Sequence, residues 1–207
     1  MQPNELNIYS QGIDLKRRVL FMHGTAKSDP DGEEPGIEYM MTAQVIKGLH
    51  TLMWMDKDAP VDIHMITCGG CWNMGMAIFN TIESMPYPVT IYAYAHARSM
   101  SSIILQAADC RVMMPDAYFL AHFGTYGFDG NSKAMLSNAE YEKVCNDRML
   151  NIYASAASGA KKHKGKSVAV IKKEIREKLD EKEDLIFTAS EAVEYGFADE
   201  VFGGWEQ

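Results

Sequence analysis

Cysteine is scarce in this sequence, basic residues do not outnumber acidic ones, and no long uninterrupted apolar run is present. Each shortage excludes something. Four cysteines in 207 residues are too few for a disulfide scaffold. Lys and Arg total 20 against 28 Asp and Glu, a net charge of −8. A nucleic-acid binder needs a basic face for phosphates, so nucleic acid is not expected as a partner. A membrane-spanning helix needs roughly 20 consecutive apolar residues, and no run approaches that, so no membrane association is expected. The opening MQPNELNIYSQGIDLKRR has no apolar stretch of the kind a secretory signal carries, and a cytoplasmic location is expected. Internal repeats and low-complexity tails are also missing. What remains is an ordinary globular balance, 47% hydrophobic and 23% charged, able to bury a substantial core in one domain. The 15 methionines suit adaptable core filling.

Along the chain, strands and helices alternate. RVLFM (Arg18 to Met22) reads as a strand, and KSDPDGEEPG (Lys27 to Gly36) as a solvated loop. From Ile37 the period is helical, with Met41, Val45, Gly48, Leu49 and Leu52 on one face. VDIHMIT (Val61 to Thr67) is a strand broken by CGG. Met74 to Met85 is a helix stopped before Pro86. VTIYAYA (Val89 to Ala95) is a buried strand, followed by a helix over Ser99 to Ala108. Two strands, Cys110 to Met114 and Tyr118 to Phe123, flank Pro115-Asp116. Such alternation implies a mostly parallel sheet with ligands at the carboxyl ends of its strands. Lys133 to Ser158 then forms one long helix. Lys161 to Glu183 is dense in both charge signs and reads as a solvated helix. Phe187 to Phe202 closes with a helix and a strand.

The stretch TCGGCWNMGMAIF (Thr67 to Phe79) admits two readings. Cys68-x2-Cys71 at a strand-to-helix junction fits a redox pair. The order of elements, however, is not thioredoxin-like, and a zinc site would need four ligands, so no metal is expected. Alternatively the glycines matter, because after a strand they can turn backbone N–H groups into open space. Beside a nucleophile such groups form an oxyanion hole. The next βα junction, HARSMSSIILQAA, offers Ser99, Ser101 and Ser102 where a strand gives way to a helix, although serines there also serve as caps and small packing residues. Among six histidines, His96 adjoins Ser99 but leaves a strand three residues earlier. His122 ends the strand YFLAHF. Spacing alone does not choose between them.

Several blocks in this order resemble the ClpP family of serine proteases: RRVLF, then GG-x4-GMAIF-x-T, then A-x-A-RSMSSIIL-x-AA, FLAH, and ASEAVEYGFADEV. The resemblance spans about residues 8 to 202. It implies an α/β fold of the ClpP/crotonase type, with stacked βα units as a head (about 8–130 and 185–203). A projecting handle helix would occupy about 131–184. It implies Ser99 as nucleophile, His122 as general base and Asp184 as the residue holding the imidazole, with Gly70 and Met100 N–H as oxyanion donors. Gly69, Gly124, Tyr126 and Gly127 would contact the substrate, since an extended peptide can pair with exposed backbone there. No cofactor is implied. Cys68 stands at the family's usual proline, which makes the cysteines incidental. The implied assembly is a homo-oligomer, a heptameric ring or a double-ring tetradecamer, acting on unfolded polypeptide with an AAA+ unfoldase.

The sequence departs from the family pattern in places. Arg98 replaces a small residue beside Ser99 and is expected to bias the pocket. The segment Ala160 to Glu183 is longer than usual, which leaves Asp180 and Glu183 as competitors of Asp184. The N-terminal axial hairpin is expected to be nearly missing. Asp62 and His64 stand where docking aromatic residues are expected, so unfoldase docking is expected to be altered. These departures suit a phage-type or divergent bacterial member. The rival readings are a catalytically silent ring subunit, a crotonase-like acyl-CoA enzyme and a thiol redox protein.

Overall fold

The computed structural model describes residues 8, 10–23, 34–125, 127 and 129–205. Two sheets and six α-helices make up these residues. Strands β1 (Ile13–Asp14), β2 (Val19–Met22), β3 (Val61–Met65), β4 (Val89–Ala93), β6 (Cys110–Met113) and β9 (Glu200–Val201) form the larger sheet in the order β1-β2-β3-β4-β6-β9. All its pairings are parallel except β1 with β2. This is the sheet the alternating pattern predicts. Its central strands show the burial alternation of a sheet with one face on the core: Val61, Ile63 and Met65, then Val89, Ile91 and Ala93, are buried while their neighbours are not.

Helix α1 (Tyr39–Met55) turns Val45, Gly48, Leu49 and Leu52 inward, as the periodicity indicates. It starts two residues later than expected, because Ile37 is taken into a parallel bridge with Gly70. Helix α2 is Trp72–Glu83, and α3, Met100–Leu105, is shorter than the Ser99 to Ala108 expected.

The second sheet was not expected. Its order is β5-β7-β8, with β5 at His96–Arg98, β7 at Tyr118–His122 and β8 at Asp184–Thr188. Strand β5 runs parallel to β7, and β8 antiparallel to it. Three residues of β5 are too short to show a period, and they read as a continuation of VTIYAYA.

The long helix α4 is Ser132–Ala157, 26 residues or about 39 Å at 1.5 Å per residue. Its two halves differ. Cys145, Met149, Leu150, Ile152, Tyr153, Ala154 and Ala157 are buried, whereas Met135, Leu136, Tyr141 and Val144 are exposed. The charged segment behind it is not simply a solvated helix, which corrects that expectation. Helix α5 (Val168–Glu181) buries Ile171, Ile175 and Leu179 at helical spacing. It is tied to α4 by Lys172 and Arg176, both paired with Asp147 at 2.7 and 3.5 Å.

The closing block SEAVEYG has local reasons for each landmark. Thr188 and Glu191 form a capping box at the start of α6 (Ala189–Tyr195). Gly196 caps its end at φ 92°. A Cβ at Gly196 would lie 2.9 Å from the Ala157 Cα and 2.8 Å from the Ala160 Cβ. The block therefore packs directly onto the end of α4. Phe197 stacks on Phe119 of β7 at 4.6 Å, and Arg111 binds the Gly196 carbonyl and the Asp199 carboxylate. Gly196→Ala is expected to cost about 1–3 kcal/mol from positive φ and the close approach. Urea unfolding would measure it, and an unchanged midpoint would contradict this packing account.

Candidate active site

Ser99 sits in the turn between β5 and α3 with φ 54° and ψ −130°. Few non-glycine residues adopt such a conformation, and it persists only where the surroundings enforce it. Here they do. The Ser99 N–H donates to the Leu120 carbonyl of β7 at 3.1 Å. The Ser102 hydroxyl donates to the Ser99 carbonyl at 2.6 Å. The Ser101 hydroxyl donates to the Arg98 carbonyl at 2.8 Å and accepts from the Arg98 N–H at 2.9 Å. Of the three serines, Ser101 and Ser102 are thus the caps and packing residues, both fully buried. The Ser102 hydroxyl also meets the Tyr153 hydroxyl of α4 at 2.7 Å.

The two glycines of the CGG turn have different parts. Gly69 (φ 93°) lies against the serine turn, where a Cβ would come 2.8 Å from both the Met100 nitrogen and the Ser99 Cβ. It does not itself line the cleft described below. Gly70 bridges Ile37: the Ile37 N–H donates to the Gly69 carbonyl at 2.7 Å, and the Cys71 N–H donates to the Ile37 carbonyl at 3.0 Å. In a parallel bridge these are the flanking groups, so the N–H of Gly70 itself faces away from Ile37. Gly70 lines the cleft. A side chain there would meet the Ile37 backbone at 2.6 Å.

His122 ends β7, and the antiparallel register sets Asp184 directly across from it. Their Nδ1 and Oδ1 atoms lie 3.4 Å apart. The other ring nitrogen, Nε2, is buried and has no hydrogen-bond partner among the described residues. Asp180 lines a separate cleft with Asp147 and Arg176. Geometry therefore favours Asp184 over Asp180 as the neighbour of His122. Asp180, Glu183 and Asp184 all lie outside the lining of the cleft that holds His122, so it is the ion-pair distance that singles out Asp184.

Ser99, His122, Gly70, Met100 and Gly124 line one cleft of about 550 Å³ beneath α4. Gly127 does not line it, and Tyr126 lies outside the described residues. His96 is elsewhere, buried with its Nε2 2.7 Å from Glu34. Arg98 also turns to Glu34, at 3.2 Å, and does not line the cleft. The expected bias of the pocket by Arg98 is corrected accordingly. Arg98 is the last residue of β5, whereas Ser99 leaves the strand at φ 54°, so adjacency in sequence does not put the two side chains on one side.

The four cysteines are free thiols. Cys68 contacts the Glu34 carbonyl, whereas Cys71 caps α2 and lines the cleft. Among the described residues, no group of three or more His, Cys, Asp or Glu is arranged to hold a metal ion, and no helix is long and apolar enough to cross a membrane.

A family model described as Clp protease matches residues 34–204. The chain belongs to the Clp protease family. That family consists of ClpP-like serine peptidases, and its members typically form ring oligomers. The match takes in both sheets from β3 onward, the CGG turn, the serine turn, β7 and β8. The long segment between His122 and Asp184 leaves the β7–β8 register in place.

On the outward side of the larger sheet, Phe21, His64 and Tyr92 lie in one row of the β2, β3 and β4 register. His64 stacks on Tyr92, Tyr94 and Trp205 at 5.3–5.8 Å, and its Nδ1 meets the Tyr94 hydroxyl at 2.6 Å. Burial holds the His64 pKa below its ordinary value and raises that of Asp62. Both shifts favour the neutral forms. The polarity expected at these two positions is thus muted, with the imidazole built into an aromatic layer.

The clamp on the serine turn is testable. Ser102→Ala leaves the Tyr153 hydroxyl buried without its partner and is expected to destabilise by about 1–3 kcal/mol. Adding Tyr153→Phe should recover part of that loss in a double-mutant cycle. Strict additivity of the two changes would show that the two hydroxyls do not act together.

Proposed function

We propose that this chain is the serine endopeptidase subunit of a ClpP-like compartmental protease, cleaving peptide bonds of unfolded proteins or short peptides. The observation that carries this reading is the shared cleft: Ser99 on its strained turn, and His122 with one nitrogen facing Asp184 and the other buried and unpartnered.

In this reading the Ser99 hydroxyl attacks the scissile carbonyl and His122 Nε2 takes its proton. The tetrahedral oxyanion is held by the Gly70 and Met100 N–H groups. Gly70 N–H faces away from its strand partner, and Met100 is the first residue of α3, where an N–H has no acceptor within the helix. Each such donor contributes about 3–4 kcal/mol to the transition state. Collapse breaks the C–N bond, and His122 returns the proton to the leaving amine. Water then attacks the acyl-Ser99 ester, again deprotonated by His122, and releases the acid. Asp184 holds the imidazole so that Nε2 faces Ser99, and stabilises the imidazolium. The segment from Gly124 offers backbone for an extended peptide.

A ring assembly in the cytoplasm follows from the same reading. The exposed apolar residues Met135, Leu136 and Val144 of α4 are suited to contact between subunits. The aromatic layer around His64 supports an unfoldase-facing surface of altered chemistry, with His64 and Asp62 in place of further aromatic residues.

Intact mass after treatment with a fluorophosphonate probe tests the chemistry. One adduct is expected on the wild type and none on Ser99→Ala. Asp184→Asn should lower peptide turnover by about 10⁴-fold, while Asp180→Asn should leave it near wild type. Equal labelling of wild type and Ser99→Ala, or no labelling of either in the assembled protein, would overturn the reading.

A further inference from the structure

The wall of the cleft opposite the serine turn is a stripe of α4. Asn138, Glu142, Cys145 and Met149 recur at helical spacing and all line it. Tyr141 anchors this stripe across the opening, its hydroxyl 3.2 Å from Asn73 of α2. Below lie Met100, Ile103 and Met149, each 3–4% exposed, so the floor is apolar. Within this setting Glu142 is anomalous. Its Oε1 atom is buried and has no hydrogen-bond partner among the described residues. Among the described residues, no lysine or arginine lines the cleft, and Glu142 is its only carboxylate. Burial raises the pKa of Glu142, the direction expected of an acid lacking a counter-charge.

An unpaired carboxylate beside an apolar floor matches one kind of side chain well: a long aliphatic stem ending in a cation. We propose that Glu142 is a specificity-determining residue that receives a lysine or arginine side chain of the peptide bound in the cleft. The stem lies along Met100, Ile103 and Met149, and the cationic tip pairs with the buried Glu142 oxygen. The inference rests on the peptidase reading above, since it names the substrate class for that same site. Aspartate and glutamate side chains would be disfavoured at the same position by repulsion from Glu142.

The test uses the assembled full-length protein and one apolar quenched peptide in which a single lysine or norleucine is walked through successive positions. Cleavage sites are read by mass spectrometry. At one position relative to the scissile bond, wild type is expected to prefer lysine by about tenfold in kcat/KM. Glu142→Gln should bring that ratio to near unity, and Glu142→Lys should favour glutamate there. A lack of lysine preference at every position, or a preference that survives Glu142→Gln, would overturn the proposal. If wild type neither cleaves these peptides nor labels with fluorophosphonate, the peptidase reading fails separately. Fluorescence anisotropy of the same peptides then decides on Glu142. About tenfold tighter binding of a lysine peptide, lost in Glu142→Gln, upholds the cation site, and equal binding of the lysine and norleucine peptides refutes it.

Discussion

The site depends on one backbone turn. Ser99 at φ 54° and ψ −130° occupies a conformation that costs a non-glycine residue of order 1–3 kcal/mol. The cost is offset by bonds that reach into separate parts of the fold. Leu120 of β7 accepts from the Ser99 N–H, and the hydroxyls of Ser101 and Ser102 fix the carbonyls of Arg98 and Ser99. Gly69 closes the back of the turn, at a distance no side chain could share. Within RSMSS, one serine is thus displayed and two are consumed in holding it.

The second sheet relates this turn to the rest of the proposed machinery. Because β5 pairs with β7 and β7 with β8, the serine turn, His122 and Asp184 come from three neighbouring strands. The long segment between His122 and Asp184 could have displaced that register. It does not, because its apolar face is spent on α4 and its cations on Asp147. The block after β8 is then locked by the capping box, the Gly196 contact with α4 and the Arg111 network. Helix α4 serves two environments, with one half in the core and the other forming the cleft wall and an exposed apolar surface.

Much of this was legible in the sequence. The parallel strands, helix α1, the CGG turn and the long helix follow from period, breakers and β-branched runs. The motif blocks point to Ser99, His122 and Asp184; in the structure Ser99 and His122 line one cleft, and Asp184 lies across from His122 on β8. The second sheet was not legible, since HAR is too short for a period and DLIFT follows a highly charged run. Adjacency to Ser99 suggests a place in the pocket for Arg98, yet Ser99 turns out of the strand and Arg98 is held by Glu34, a partner distant in sequence. Lys161 to Glu183 was read as solvated because its charge hid three well-spaced apolar residues. The place of Glu142 on the cleft wall is not legible, because it depends on how a helix is rolled against its sheet. Charge content does not encode that.

Gly69 packs so closely on the serine turn that a Cβ there would lie 2.8 Å from the Met100 nitrogen and the Ser99 Cβ, and in the proposed chemistry this packing keeps Ser99 in an attacking geometry. The most direct measurement is the second-order rate of fluorophosphonate reaction at Ser99 in a Gly69→Ala variant, with cooperative unfolding followed in parallel. The added methyl should displace the turn and Met100 N–H, slowing the reaction by about 100-fold or more in a protein that still unfolds cooperatively. A folded variant reacting at the wild-type rate would contradict the claim.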